Sequence, residues 1–185
     1  MTGSPLAPRP PLPIQPVGSV FQVAYTCADA RETALAWTAS LGIGPWTVRG
    51  PFTAPGALYR GEPYRAELTV ARTFDGALMI ELIQQHDEEP SIFRDRTTAE
   101  GYGFHHVAVA TNDFDTRARS LSEASGQAVF EDVLPTGARV AFFDGAPGQP
   151  GMVELVELTS AQSASYDSLR ELCRTWDGTD PWRRL

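Results

Sequence analysis

Apolar and polar residues alternate from Val20 to Cys27 and again from His106 to Thr111, the two-residue period of a strand with one buried face. Each stretch runs into an aspartate, Asp29 or Asp113. Apolar residues at helical spacing follow, Ala34, Leu35, Trp37 and Leu41 in one case and Ala118, Leu121 and Ala124 in the other. Aspartate there predicts an N-cap, because its carboxylate accepts from the unpaired N–H groups of a first helical turn. Gly42 with Gly44-Pro45, and Gly126, predict where the helices stop. Beyond the first helix, Trp46 to Val48, Ala57 to Arg60, Glu67 to Thr73 and Ala77 to Gln84 read as strands, with a hairpin signal at Asp75-Gly76. Beyond the second, Val129 to Val133, Arg139 to Phe143 and Met152 to Leu158 do the same. The order of elements repeats, β-α-β-β-β twice.

The repeat extends to side chains that carry chemistry. Gln22 opens the first module and His106 the second; the closing strands, Met79 to Ile83 and Met152 to Val156, each hold one carboxylate in an apolar run, Glu81 and Glu154. Burying a lone carboxylate costs several kcal/mol unless it is paired or coordinated, so two at equivalent positions ask for a shared cation. The separations, 59 residues from Gln22 to Glu81 and 48 from His106 to Glu154, differ by an amount that the loops around Pro51 to Pro63 absorb. Strand parity puts Glu154 and Val156 on one face and Glu157 on the other, and it opposes His105 to His106. One imidazole, one amide oxygen and two carboxylates suit a divalent ion, zinc, nickel, cobalt, manganese, iron or magnesium, with positions left for substrate oxygens. The chemistry expected is proton transfer beside a polarised carbonyl, with Glu154 or Glu81 as the catalytic base and Glu67 as a candidate further out.

Composition narrows the partners. The chain has 185 residues, 42% hydrophobic, enough for one compact core. A net charge of -8 and the lack of basic runs argue against nucleic acid and anionic membranes, leaving a small-molecule substrate as the partner. Two cysteines, Cys27 and Cys173, suggest neither a disulfide framework nor a thiolate zinc site, and they are read as small buried residues. No apolar run is long enough for a membrane helix, and a cytoplasmic location is expected. Residues 1–17 form a Pro-rich arm, with six prolines by Pro16. Module one spans 18–85, a connector with a short helix near Ser91 to Asp95 spans 86–103, and module two spans 104–160. A helix from Tyr166 to Arg174 and a tail with Trp176 and Trp182, expected to dock, complete 161–185.

At these positions the chain resembles the vicinal oxygen chelate superfamily, which includes glyoxalase I, methylmalonyl-CoA epimerase, extradiol dioxygenases and bleomycin-resistance proteins. The resemblance spans about residues 18 to 160 and rests on Gln22 to Tyr25 with Asp29, Gly42 to Pro45, Glu81 to Ile83, His105 to Ala108, and Val153 to Leu155. It implies an α+β fold, two tandem βαβββ modules forming a cupped, open-barrel mixed sheet with helices outside. It also implies a homodimer and one divalent metal ion on Gln22, Glu81, His106 and Glu154, a set similar to that of glyoxalase I. The implied activity is that of a metal-dependent lyase, isomerase or epimerase working through an enolate or enediolate on a small organic or thioester substrate. A metal-independent sequestering protein of the bleomycin-resistance type is the alternative. A ring-cleaving dioxygenase is disfavoured, since those enzymes carry histidine where this chain has Gln22. Basic residues that hold a glutathione adduct in glyoxalase I have only loose candidates here, Arg49, Arg60, Arg65 and Arg139.

Overall fold

The computed structural model describes residues 17–184, the side chains of residues 99 and 100 apart, so the first sixteen residues of the expected arm lie outside it. Strand β1 (Val20–Thr26) leads into helix α1 (Ala30–Leu41), whose first turn is closed by the Asp29 carboxylate accepting from Glu32 N–H at 2.8 Å. The helix ends on Gly42 in the left-handed conformation, φ 69, which glycine adopts without steric cost. Next come β2 (Trp46–Phe52), the short pair β3 (Leu58–Tyr59) and β4 (Glu62–Pro63), then the hairpin β5 (Leu68–Asp75) and β6 (Leu78–Gln85). Helix α2 (Ile92–Glu100) connects to β7 (Gly103–Thr111) and α3 (Phe114–Ser125), and Asp113 caps α3 as Asp29 caps α1. Strands β8 (Phe130–Val133), β9 (Arg139–Asp144) and β10 (Met152–Glu157), helix α4 (Ser160–Arg174) and β11 (Trp182–Arg184) complete the chain.

The strands form one curved, open mixed sheet in the order β11-β2-β5-β6-β1-β7-β10-β9-β8-β3-β4. Each module pairs its first strand with its last in parallel, β1 with β6 and β7 with β10, and the modules meet antiparallel at β1 and β7. Helices α1 and α3 cover the outer face through two small clusters, one around Ile43, Trp46 and Leu82 and the other around Phe143 and Leu155. The larger cluster lines the inner face of the cup. Burying both faces explains why the central strands are apolar nearly throughout rather than strictly alternating.

Three elements differ from what the sequence predicts. The stretch from Ala57 to Arg60 was expected as a strand of module one, but β3 pairs with β8 of module two, its partner being set by a long-range approach of loops. Helix α2 runs to Glu100 rather than stopping near Asp95, since Ser91 caps it and nothing breaks the turn before Gly101. Helix α4 starts at Ser160, six residues before the expected Tyr166. Its Tyr166, Leu169 and Cys173 pack against the inner cluster, so it roofs the cup. The tail docks as expected. Trp182 joins the outer cluster, and Trp46 N–H donates to Pro181 O at 2.7 Å. Among the described residues no helix is long and apolar enough to cross a membrane.

Candidate functional site

The strand registers place four polar side chains on the inner face around the β1–β7 seam. One rung across the sheet reads Glu81, Ala24, His106, Met152, and the adjacent one reads Met79, Gln22, Ala108, Glu154. Ala24 and Ala108 are fully buried and too short to fill the space above them, so the longer neighbours lean in and meet. Gln22 Nε2 lies 3.2 Å from Glu81 Oε2, 3.1 Å from His106 Nε2 and 3.2 Å from Glu154 Oε2. His106 Nε2 is 3.2 Å from Glu154 Oε2 and 3.7 Å from Glu81 Oε2. All four predicted residues are thus brought together, and each is buried.

An amide nitrogen has two hydrogens, yet three acceptors converge on this one. The centre is one positive charge or donor short. Half a turn of the Gln22 amide would place its oxygen there, making four acceptors around one point. Their separations of 3.1 to 3.7 Å compare with about 3 Å between adjacent ligands of an octahedral ion at 2.1 Å bond lengths. This donor chemistry fits a divalent cation. Among the described residues no His, Cys, Asp or Glu side chains form a coordinating group of three or more by themselves, so the fit depends on Gln22 taking part.

His105, which strand parity sets on the other face, is tied to the site through its ring. Its Nδ1 lies 2.9 Å from His106 Nδ1, and its Nε2 lies 3.2 Å from Ile92 O. A carbonyl only accepts, so His105 donates from Nε2. Burial and the neighbouring His106 push its pKa down to about 3, so it is neutral and its Nδ1 is an acceptor. His106 must therefore donate from Nδ1, which leaves Nε2 as the atom turned to the centre. Phe142 packs edge-on to the His106 ring at 4.9 Å and holds its plane.

Arg72, which the sequence reading did not single out, stands opposite Glu81 on β5 and donates from Nε to Glu81 Oε1 at 2.6 Å. Burial opposes its charge, but Glu81, Tyr166 and Glu154 outweigh this and hold it above the usual arginine range. The two carboxylates consequently differ. Glu81 has one oxygen on Arg72 and the other toward the centre, whereas Glu154 contacts Gln22 and His106 through Oε2 alone among the described residues. Above the quartet lies a cavity of about 580 Å³ lined mainly by apolar side chains, with Phe52, Tyr64, Phe93 and Phe142 among them and Tyr166 and Leu169 contributed by α4.

Other candidates fall elsewhere. Glu67 is exposed and does not line the cavity, since it precedes β5 with its side chain turned to solvent. Glu157 pairs with Arg139 at 2.9 Å on the outer face. Arg60 pairs with Asp95 and Arg65 is exposed, so of the four arginines first considered only Arg49 reaches the cavity. Burial pushes the Cys27 thiol up to about 11, which makes it a packing residue rather than a nucleophile.

The architecture has counterparts. A hypothetical protein from Bacillus halodurans is similar at 17% identity over 77% of this chain and 95% of that one, with a TM-score of 0.53. A variant of methylmalonyl-CoA epimerase from Streptomyces coelicolor, in complex with 2-nitronate-propionyl-CoA, is similar at 18% identity over 78% and 100%, TM-score 0.52. The epimerase from Mycobacterium tuberculosis is similar at 18% over 80% and 93%, TM-score 0.52. At such identities the likeness extends to the fold. No curated protein matches the chain. The family model for the glyoxalase/bleomycin resistance protein/dioxygenase superfamily matches residues 21–143, from the strand bearing Gln22 to the strand bearing Phe142. With that match over more than half its length, and with a curved open sheet of paired modules, the chain belongs to this superfamily.

Proposed function

We propose that the protein is a metal-dependent lyase, isomerase or epimerase that moves a proton beside a carbonyl of a small organic or thioester substrate. The observation that carries this reading is the convergence of Gln22, Glu81, His106 and Glu154 on one point, with Glu81 and Glu154 lining a cavity. These four residues would hold a divalent ion, and its contribution when bound is to polarise a carbonyl, which lowers the cost of removing the neighbouring proton. The chain's own groups divide the remaining work. Glu81, held by Arg72, positions and balances charge. Glu154 is the base: its Oε1 has no donor among the described residues, so it is the carboxylate oxygen open to take a proton from carbon and return it. The apolar walls and the α4 roof give water few polar partners beside the two acids, and a bound substrate that displaces it would strengthen both roles.

The test combines ion binding with hydrogen exchange. Calorimetric titration with manganese or zinc should show one site in the wild type and none in His106→Ala or Glu81→Gln. Exchange of substrate hydrogen beside the carbonyl with D2O should fall by at least about 10²-fold in Glu154→Gln, which removes the general base together with a ligand of the ion. Full ion binding in both of the first two variants would reject the reading.

One observation favours a second reading, a metal-free sequestering protein: half of the Glu81 carboxylate is already matched by the Arg72 guanidinium. Unchanged retention of a bound organic ligand after complete chelation would favour it.

A further inference from the structure

Two cations line the cavity: Arg49, which stacks on Phe52 and is offset by Asp132, and Arg72, whose hydrogen-bonding capacity is only partly used. Arg72 commits Nε to Glu81, but its two terminal nitrogens have no hydrogen-bond partner among the described residues, and the side chain, 38% exposed, opens into the cavity. Tyr166, on helix α4 packed against β5, is near enough to feel the Arg72 charge, and burial raises its hydroxyl pKa. Apolar side chains of the lining, Val70 and Ile83 from the sheet and Leu169 and Leu172 from α4, surround them. A planar fork of N–H donors facing such a space matches a carboxylate better than any neutral group.

Charge counting points the same way. Glu81 and Glu154 contribute two negative charges and Arg72 one positive, so the centre alone is net negative by one. A divalent ion on the four residues brings it to net positive by one. A monoanion then neutralises a poorly solvated site, a neutral ligand leaves a charge unmatched, and a dianion overshoots.

We propose that the substrate is a compact, largely apolar monocarboxylate whose carboxylate is held by the terminal N–H groups of Arg72 while the C–H beside its carbonyl faces Glu154. This rests on the preceding reading that a divalent ion occupies the four-residue centre. Because the ion reverses the sign of the site, it and the carboxylate bind cooperatively, each tightening the other by the same factor.

The experiment uses the full chain and two probes, 4-methyl-2-oxopentanoate and its methyl ester. Manganese is titrated alone first, then each probe is titrated calorimetrically into manganese-loaded protein, wild type and Arg72→Gln. The acid should bind at least tenfold tighter than the ester in the wild type. That ratio should drop about tenfold in Arg72→Gln, which separates a carboxylate read by the guanidinium from one read by the ion. Arg72→Lys keeps the charge beside Glu81 but lacks the fork, so it should retain manganese affinity and lose part of the ratio, which keeps the test decisive where glutamine destabilises the fold. No manganese binding in the wild type overturns this inference together with the preceding reading. Manganese binding with an acid-to-ester ratio unchanged by either substitution overturns this inference alone.

Discussion

At the scale of single residues, the small side chains matter as much as the polar ones. Ala108 sits between Gln22 and Glu154 on one rung, as Ala24 sits between Glu81 and His106 on the next, and both are fully buried. Ala108→Val would push two methyl groups into the point where the acceptors meet. Overpacking of this kind costs about 1–3 kcal/mol, and ion binding in calorimetry should disappear well before the fold does. An ion affinity equal to wild type would show that the alanines do not set the room. His105 is tested differently, since it touches the centre only through His106. His105→Phe removes the acceptor for His106 Nδ1–H, and loss of such a partner weakens ion binding about 10- to 100-fold. His105→Asn, whose side-chain oxygen can take the place of Nδ1, should restore most of it; equal affinities in the two variants would reduce His105 to packing. The four polar positions were readable from sequence, because a carboxylate in an apolar run, repeated in both modules, is a local signal, whereas nothing local marked the alanines between them. The ring-to-ring bond was not readable either, since strand parity sends adjacent side chains apart and only rotation about their χ angles brings Nδ1 to Nδ1.

Among the elements, one turn decides what the sequence hides. A hairpin centred on Asp75-Gly76 would set Val70 opposite Glu81, but the turn centres one residue later, on Gly76 and Ala77, and it sets Arg72 there instead. A register slip by one residue in the turn moves the partner by two, so a strong turn signal still left the site's main cation out of view. Helix α4 was mislocated for a related reason. Its first turns are Ser, Ala and Gln with little apolar period, and they are held by distant contacts, Thr136 Oγ1 donating to Gln162 Oε1 at 2.6 Å and Thr159 capping Gln162 N–H. The approach of β10 to β7 is another feature at this scale. Gly151 precedes β10 with φ 71, and a Cβ there would lie 2.7 Å from His105 O and strike the Phe104 ring. Gly151→Ala should therefore lever β10, with Glu154, away from His106. The left-handed backbone and the clash together should cost about 2–3 kcal/mol, read as a lower denaturation midpoint, with a matching loss of ion affinity. A destabilisation without any change in ion affinity would mean that β10 keeps its register through the turn.

For the whole molecule, the position of the quartet implies a coupling. Gln22 and Glu81 come from the first module, His106 and Glu154 from the second, and they meet across the antiparallel seam of β1 and β7. Neither half owns a complete set. The repeat made this symmetric placement legible before any coordinates, whereas the crossing of β3 to β8 and the roof of α4, which tie the halves together a second and third time, depend on contacts far apart in sequence. A ligand bound at such a seam stabilises the assembled pair and neither part alone. A divalent ion at a hundred times its dissociation constant should add about 2.7 kcal/mol to unfolding. For a domain of this size that raises Tm by roughly 5–10 °C. The rise should come with one cooperative transition and should vanish in Glu81→Gln and in Glu154→Gln alike, because the acids from the two modules contribute to one centre. A shift abolished by only one of these substitutions would place the ion within a single module and break the twofold argument from which the site was first inferred.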